Sequence, residues 1–487
     1  MNATTRIERR KSTSYQIFKK TLLAMPNYSY ILLSLFIVVC FAIFFTSSLD
    51  YKGKVALIVF VIAMILWIAT KLPAGYVALG AILSIILLKG ADASLLYDSF
   101  SLEIVWLMIG AFIIGEVIKV SGLANRIITN IMKNSATSNS VLFHVLIALL
   151  PLSIFIPSTS GRAAITLPVV KELAPFIQDD KHKQVLAMFV PTIILMTTSA
   201  TLIGAGSHLI GVEILEKTTG ETITYLNWLI WGVPFAIFIS FVSYLAVRLL
   251  WMRGKSTPLL SVTKKHSIFT KNEKITEKEK KALIFIGTLF LLWVTEGIHG
   301  HDIGFITIMG ALVFMSPKFG LLSWKQGVKS VSWNLILFVS AATALGINLV
   351  ETGVVDWIES SIFQFVTSFS NFSVWGMLCF ILLVSITSHL YITSHTTRAI
   401  VLVPGLLMLG TSFGFNGIAV LFLSLVGMNY CLTFPVSSKA LLVYFEEEKI
   451  SYKAKDLMRL SFLLMPIYFI SILLFYYTYW DWTGLTL

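Results

Sequence analysis

Apolar residues fill nearly the whole chain in tracts of about 17–25 positions, each long enough to cross a bilayer as a helix. Candidate crossings fall at 29–47, 54–71, 74–90, 103–120, 186–214, 225–252, 282–299, 302–316, 330–350, 416–446 and 457–480. Two further tracts, 140–176 and 374–412, are too long and too interrupted to be single crossings. The first breaks at "IFIPSTSGRAAITLPVV" (154–170) and the second at "LYITSHTTRAIVLVPG" (390–405). Polar backbone at that depth is tolerated only where it is buried in protein or lines a watery cavity. Two short helices joined by a polar tip, a re-entrant hairpin, account for each tract better than one crossing. The pattern predicts an all-α polytopic membrane protein with about eleven transmembrane helices and two re-entrant hairpins.

Composition sharpens this. Of 487 residues, 56% are hydrophobic and 13% charged, about half the charged share of a soluble domain. The net charge of +12 would raise the question of nucleic acid in a soluble protein. Here the basic residues gather in loops, so they are a topology signal and no nucleic-acid partner is expected. With the N-terminus inside and the hairpins not crossing, the inner loops hold the basic stretches 6–20, 126–133, 171–183, 253–282, 318–329 and 449–459. The outer stretch 351–373 has no Lys or Arg and carries Glu351, Asp356 and Glu359. Counting either hairpin as a crossing puts basic loops on the wrong side. Residues 1–28 read as a cytoplasmic tail, since no cleavage site follows the first apolar run. Cys40, Cys379 and Cys431 are scattered in apolar tracts, with neither metal spacing nor a disulfide framework.

The two halves, 29–252 and 282–487, repeat each other in order across a basic cytoplasmic linker, 253–281. "LWIATKLPAGYVALGAIL" (66–83) parallels "LWVTEGIHGHDIGFITIMGAL" (292–312), and "SGLANRI" (121–127) parallels "TGVVDWI" (352–358). "STSGRAAITLP" (158–168) parallels "SHTTRAIVLVP" (394–404). Five crossings per unit turn the second copy upside down. Inverted repeats with broken helices mark a secondary transporter whose site lies near the midplane.

Each hairpin is followed by a second interruption. In the tract 186–214, "TSATLIGAGSHLIGVEIL" (198–215) is expected to unwind from Gly204 through His208. In the tract 416–446, "CLTFPVSSKALLVYF" (431–445) is expected to unwind from Pro435 through Lys439. A hairpin tip facing a broken helix collects hydroxyls, free N–H groups and positive helix N-termini, which suit an anion. Freed carbonyls nearby can instead hold a cation.

These motifs resemble the paired Ser-Asn-Thr hairpin signatures of the divalent anion/sodium symporter family, carriers of di- and tricarboxylates or sulfate. "ATLIG" and "FPVSS" fall where that family has its Gly-rich and Pro-rich helix breaks, and the resemblance covers about residues 54–480. It implies an elevator-type homodimer in the bilayer, with a scaffold and a mobile transport unit in each half and one hairpin opening to each side. Carried over, the triplets become Ser158-Thr159-Ser160 and Ser394-His395-Thr396. Neither asparagine is kept, and sodium-driven members use those tips to build their ion sites. Arg162 and Arg398 stand two positions beyond the triplets, a form that resembles the citrate/succinate and plastid 2-oxoglutarate/malate exchanger branch. Lys439 stands where the family usually has proline.

An arginine at that depth costs about 2.5–3.5 kcal/mol on insertion scales, so it faces a cavity or a partner. The expected substrate contacts are Ser158, Thr159, Ser160, Arg162, Ser394, His395, Thr396, Arg398, Ser207 and Ser438. Arg162, His395, Arg398 and Lys439, with Gly204 and Ser437, are expected to supply the positive charge that a sodium ion brings elsewhere. Such charge cannot leave, so the empty carrier reorients slowly and exchange is favoured. No cofactor is expected beyond a possible sodium ion near Ser158, Gly204, Ser394 and Ser437. The bland readings are specific too. Both arginines can bond helix C-terminal carbonyls, Lys439 can snorkel, His208 can be structural, and the hydroxyls can be helix caps. Glu116 and Lys119 read as an internal pair. A hydrolase is disfavoured because adjacent Ser207 and His208 do not face each other and no H-E-x-x-H occurs. A channel remains a distant alternative.

Overall fold

The computed structural model describes residues 48–70, 72–123, 126, 135, 137–156, 158–252, 274–354, 357, 373–392, 394–448 and 450–487. The tail 1–28, the crossing 29–47, Cys40 and most of the linker lie outside the described residues. Among the described residues the regular structure is helical, with no strand.

The first half contains α1 (Tyr51–Ala69), α2 (Ala74–Leu87), the short α3 (Ser94–Asp98) and α4 (Glu103–Val120). It continues with α5 (Ser138–Phe155), α6 (Thr159–Leu173), α7 (Asp180–Met196), α8 (Gly206–Thr219) and α9 (Tyr225–Trp251). The second half contains α10 (Glu277–Val294), α11 (Glu296–His299), α12 (Ile303–Phe314), α13 (Trp324–Ser330) and α14 (Trp333–Glu351). It ends with α15 (Val374–Thr387), α16 (His395–Ser412), α17 (Gly417–Met428), α18 (Lys439–Phe445) and α19 (Ala454–Phe475). Among the described residues, five helical segments are long and apolar enough to cross a membrane: Ser94–Val120, Asp180–Ala200, Tyr225–Trp251, Trp333–Glu351 and Ala454–Trp480.

Side-chain caps set the helix starts that matter most. The Ser158 hydroxyl accepts from the Gly161 N–H and starts α6. Ser394 does the same for Thr397 in α16, and Ser438 for Ala440 in α18. Each satisfies one of the orphan N–H groups of a first turn. Elsewhere a Thr137–Ser140 capping box starts α5 and a Thr276–Glu279 box starts α10. The paired Glu116 and Lys119 lie 3.3 Å apart on α4.

The first helix break sits earlier than the glycines suggest. Thr197–Ala200 and Leu202–Gly204 are tight 3-10 turns, whereas Gly206, Ser207 and His208 already form the first turn of α8. A threonine pair stands at the break. The Thr197 hydroxyl donates to the Ile193 carbonyl at 2.9 Å and the Thr198 hydroxyl to the Ile194 carbonyl at 2.9 Å. Such back-bonding competes with the helical ladder where α7 ends. The second break runs over 429–438, with a 3-10 turn at Pro435–Ser437, and Lys439 is the first residue of α18 rather than part of the unwound segment.

The first break is enclosed by α9. Trp228 donates its indole N–H to the Ser199 carbonyl at 3.0 Å. Gly232 lets the two backbones meet, since a Cβ there would stand 2.1 Å from the Ser199 oxygen. Gly204 is held as tightly, with a Cβ position 2.3 Å from the Thr198 oxygen. Both contacts are with backbone, so the structure has little room to give. Gly232→Ala and Gly204→Ala are expected to cost about 1–3 kcal/mol by overpacking, read as a lower melting temperature of the purified protein. Gly346→Ala, where the added Cβ meets nothing within 4 Å, is expected to melt like the parent.

Candidate functional site

The two polar tips and the two breaks meet in one chamber of about 420 Å3. Ser158, Thr159 and Ser160 line it from the first tip, and Ser394, His395 and Thr396 from the second. Gly206 and Ser207 enter at the start of α8, and Ser437, Ser438 and Lys439 at the start of α18. Phe112 of α4 and Asn334 and Phe338 of α14 complete the wall. The N-terminal ends of α6, α8, α16 and the shorter α18 therefore converge on one space. Each brings unpaired first-turn N–H groups and the positive end of its dipole. Among the described residues the lining includes a lysine and a histidine and no carboxylate. Hydroxyls, backbone N–H groups and a lysine are the kinds of group that suit an anion.

Arg162 and Arg398 are placed differently from the expectation that they touch the solute. Neither lines the chamber, and both are 0% exposed. Arg162 donates to the Ile194 carbonyl at 3.2 Å and the Thr197 hydroxyl at 3.0 Å. Its other terminal nitrogen donates to the Thr198 hydroxyl at 3.4 Å and the Gly204 carbonyl at 3.1 Å. Arg398 donates to the Met428 carbonyl at 2.7 Å and the Tyr430 carbonyl at 3.4 Å, with the Cys431 thiol beside it. Each guanidinium thus ties the first turn of a tip helix to the carbonyls freed where the neighbouring helix stops. The physical reason is proximity: a helix C-terminus within reach offers buried carbonyls that need donors, and it attracts a cation. Gly204, expected near an ion, lies outside the lining and gives its carbonyl to Arg162.

His208 is buried behind the wall. Its ring meets the Thr201 carbonyl at 3.1 Å, Asn429 Oδ1 at 3.0 Å and the face of Trp228 at 4.6 Å between centroids. His395 stands at the wall with Nδ1 2.6 Å from the Ser207 hydroxyl oxygen. Motif reasoning missed Asn429, although a lone amide in the apolar run "LVGMNYCL" was a visible signal. It also missed Asn334 and Phe338, for which the local sequence offers none.

A second cavity of about 400 Å3 lies among Lys52, Asp92, Asp98, Lys217 and Glu351. Three carboxylates in its wall repel an anion, so the first chamber is the candidate site.

Residues 25–486 match the family described as the sodium:sulfate symporter transmembrane region. The chain belongs to that family. This is the kinship that the hairpin motifs resemble, and its members are transporters rather than enzymes. Family relatives include the citrate/succinate antiporter of Escherichia coli, 23% identical over 77% of this chain and 78% of the relative. Another is the sodium-dependent dicarboxylate transporter SdcS of Staphylococcus saprophyticus, 23% identical over 90% of this chain and 89% of the relative. Among solved structures, the YdaH transporter of Alcanivorax borkumensis shares the fold at TM-score 0.52 and 12% identity, over 81% of this chain and 88% of that one. This symporter-family chain is accordingly a helical membrane transporter.

The arginine geometry sets an outcome. Arg162→Ala removes the donors to the Ile194 and Gly204 carbonyls. The Ile194 carbonyl keeps the Thr198 hydroxyl, whereas the Gly204 carbonyl loses its guanidinium donor, and a buried acceptor left unpaired costs about 1–3 kcal/mol. The variant is expected to lose thermal stability and transport together, checked by melting and uptake on the same preparation. A variant that loses transport at full stability contradicts the tethering role.

Proposed function

We propose that this protein is a secondary active carrier of small multivalent anions, chiefly di- or tricarboxylates, working as a sodium-independent exchanger. One observation carries the reading: the two polar motifs and four helix N-termini share a chamber that, among the described residues, holds Lys439 and His395 and no carboxylate. Ser158, Thr159, Ser160, Ser207, Ser394, Thr396 and Ser438 bind the anion through hydroxyls and first-turn N–H groups. Lys439 supplies the positive charge that a co-bound cation supplies in a symporter. The activities in the relatives' names, citrate/succinate antiport and sodium-dependent dicarboxylate transport, support the substrate class. Alternating access is of the elevator type: in each inverted repeat a transport unit, built of tip and broken helix, moves against a scaffold. In this reading the chain has eleven crossings and two re-entrant hairpins, its N-terminus is cytoplasmic, it sits in the plasma or inner membrane, and it is a homodimer.

A second reading is sodium- or proton-coupled symport of a dicarboxylate or sulfate. It is favoured by Ser437, whose buried hydroxyl at the second break has no hydrogen-bond partner and is available to a cation, and by the sodium dependence in the name of one relative. Against sodium at the first break stands the Gly204 carbonyl, already taken by Arg162.

Radiolabelled succinate uptake into proteoliposomes separates the two readings. Uptake is expected only with anion inside the vesicle and is expected to be unchanged by a sodium gradient. Gradient-driven uptake into anion-free vesicles overturns exchange, and uptake without counterflow points to a channel. Lys439→Ala is expected to weaken succinate binding by about ten- to a hundredfold, about 1.4–2.7 kcal/mol, measured by thermal shift against a succinate series.

A further inference from the structure

At and behind the chamber wall lies a cluster of hydrogen-bonded pairs: Thr201 with His208, His208 with Asn429, and His395 with Ser207. It joins the two halves, because His208 and Ser207 open α8 whereas His395 opens α16 and Asn429 ends α17. Its proton positions can be worked out from the partners. The Thr201 carbonyl can only accept, so His208 Nδ1 carries a hydrogen. In a neutral ring His208 Nε2 is then a lone pair and needs a donor opposite it. The amide of Asn429 stands there with Oδ1 facing the ring, and its Nδ2 is buried without a partner. Turning the amide over, an assignment that the hydrogen-bond network decides, mends both faults. Nδ2 then donates to His208, and Oδ1 is released from it. In the tautomer with its hydrogen on Nε2, His395 offers Nδ1 as the lone pair that receives the Ser207 hydroxyl at 2.6 Å.

The consequence falls on the wall. In that neutral tautomer the Ser207 hydroxyl hydrogen points into the protein and the oxygen shows lone pairs to the chamber, which an anion avoids. A proton on His395 Nδ1 reverses that last bond. Nδ1–H donates to the Ser207 oxygen, the hydroxyl hydrogen turns to the chamber, and the imidazolium adds a positive charge at the wall.

We propose that His395 is a proton-binding site coupled through Ser207 to the anion, so that the carrier takes up a proton as it takes up the anion. This rests on the anion-carrier reading and deepens it. The groups facing His395 fit such coupling. Arg398 lies on its own helix, His208 faces it from α8, and Lys439 faces the same chamber from α18. Arg398 and Lys439 oppose a further positive charge in the empty site. Among the described residues no carboxylate lines the chamber, and Glu213 and Glu351 stand farther along α8 and α14. A dianion in the chamber is the counter-charge that lets the proton stay. Proton and anion therefore bind together.

Calorimetric titration of the purified full chain with succinate, in buffers of different ionisation enthalpy, counts the protons taken up per anion. Because succinate can bring a proton of its own, the difference between the parent protein and His395→Gln is the readout. The parent is expected to take up more protons per succinate than the variant, by a margin approaching one. Ser207→Ala, which removes the responding hydroxyl, is expected to flatten the rise in affinity towards low pH. Succinate binding with equal proton uptake in parent and His395→Gln overturns the proposal and leaves the carrier intact. If His395→Gln does not fold, a pH dependence of affinity in Ser207→Ala as steep as the parent's overturns it instead. Failure of the parent to bind succinate, citrate or sulfate at all overturns the carrier reading and this inference with it.

Discussion

Every functional feature of this protein depends on how backbone groups are satisfied where helices stop inside an apolar body. A helix that ends there leaves carbonyls and N–H groups without water. The chain meets the carbonyl side with two buried guanidinium groups, Arg162 and Arg398, each reaching from a tip helix to the end of its neighbour. It leaves the N–H side partly unmet and gathers it around one chamber. The first arrangement makes the second possible, because the tethers bring the helix starts together.

The chamber gains its sign from three sources of different reach. Helix dipoles and first-turn N–H groups act over the nearest turn. Lys439 adds a full charge at the wall, and the acidic residues of the described chain are kept elsewhere, three of them around the second cavity. In surroundings of low dielectric such charges count for more than they do in water. A carrier of this kind has no need of a metal cluster or a nucleophile. Its selectivity lies in the number and spacing of donors.

Much of this was legible in the sequence, and the remainder was hidden for physical reasons. The two tips stand out as Pro-Ser-Thr-Ser-Gly-Arg and Ser-His-Thr-Thr-Arg, polar runs that no single crossing explains. Their meeting with Ser207 and Lys439 follows from the order of the motifs. The role of the arginines did not follow from their position. A charge beside a binding motif reads as a ligand contact until the carbonyls of Ile194, Gly204, Met428 and Tyr430 are seen within its reach, and those carbonyls leave no mark in a sequence. The first break was read from its glycines, yet α7 ends at Met196, before Gly204 is reached, where Thr197 and Thr198 begin a 3-10 turn. Asn429 was overlooked because one amide in an apolar helix resembles a packing residue until its histidine partner is known.

The most direct test of the central claim is an experimental density map of the purified protein with a bound dicarboxylate. The account predicts ligand density between Ser158–Ser160 and Ser394–Thr396, one carboxylate within reach of Lys439, and both guanidinium groups still turned to their helix carbonyls. Density in the cavity beside Lys52, Asp98 and Lys217, or a ligand held directly by Arg162 or Arg398, would contradict it.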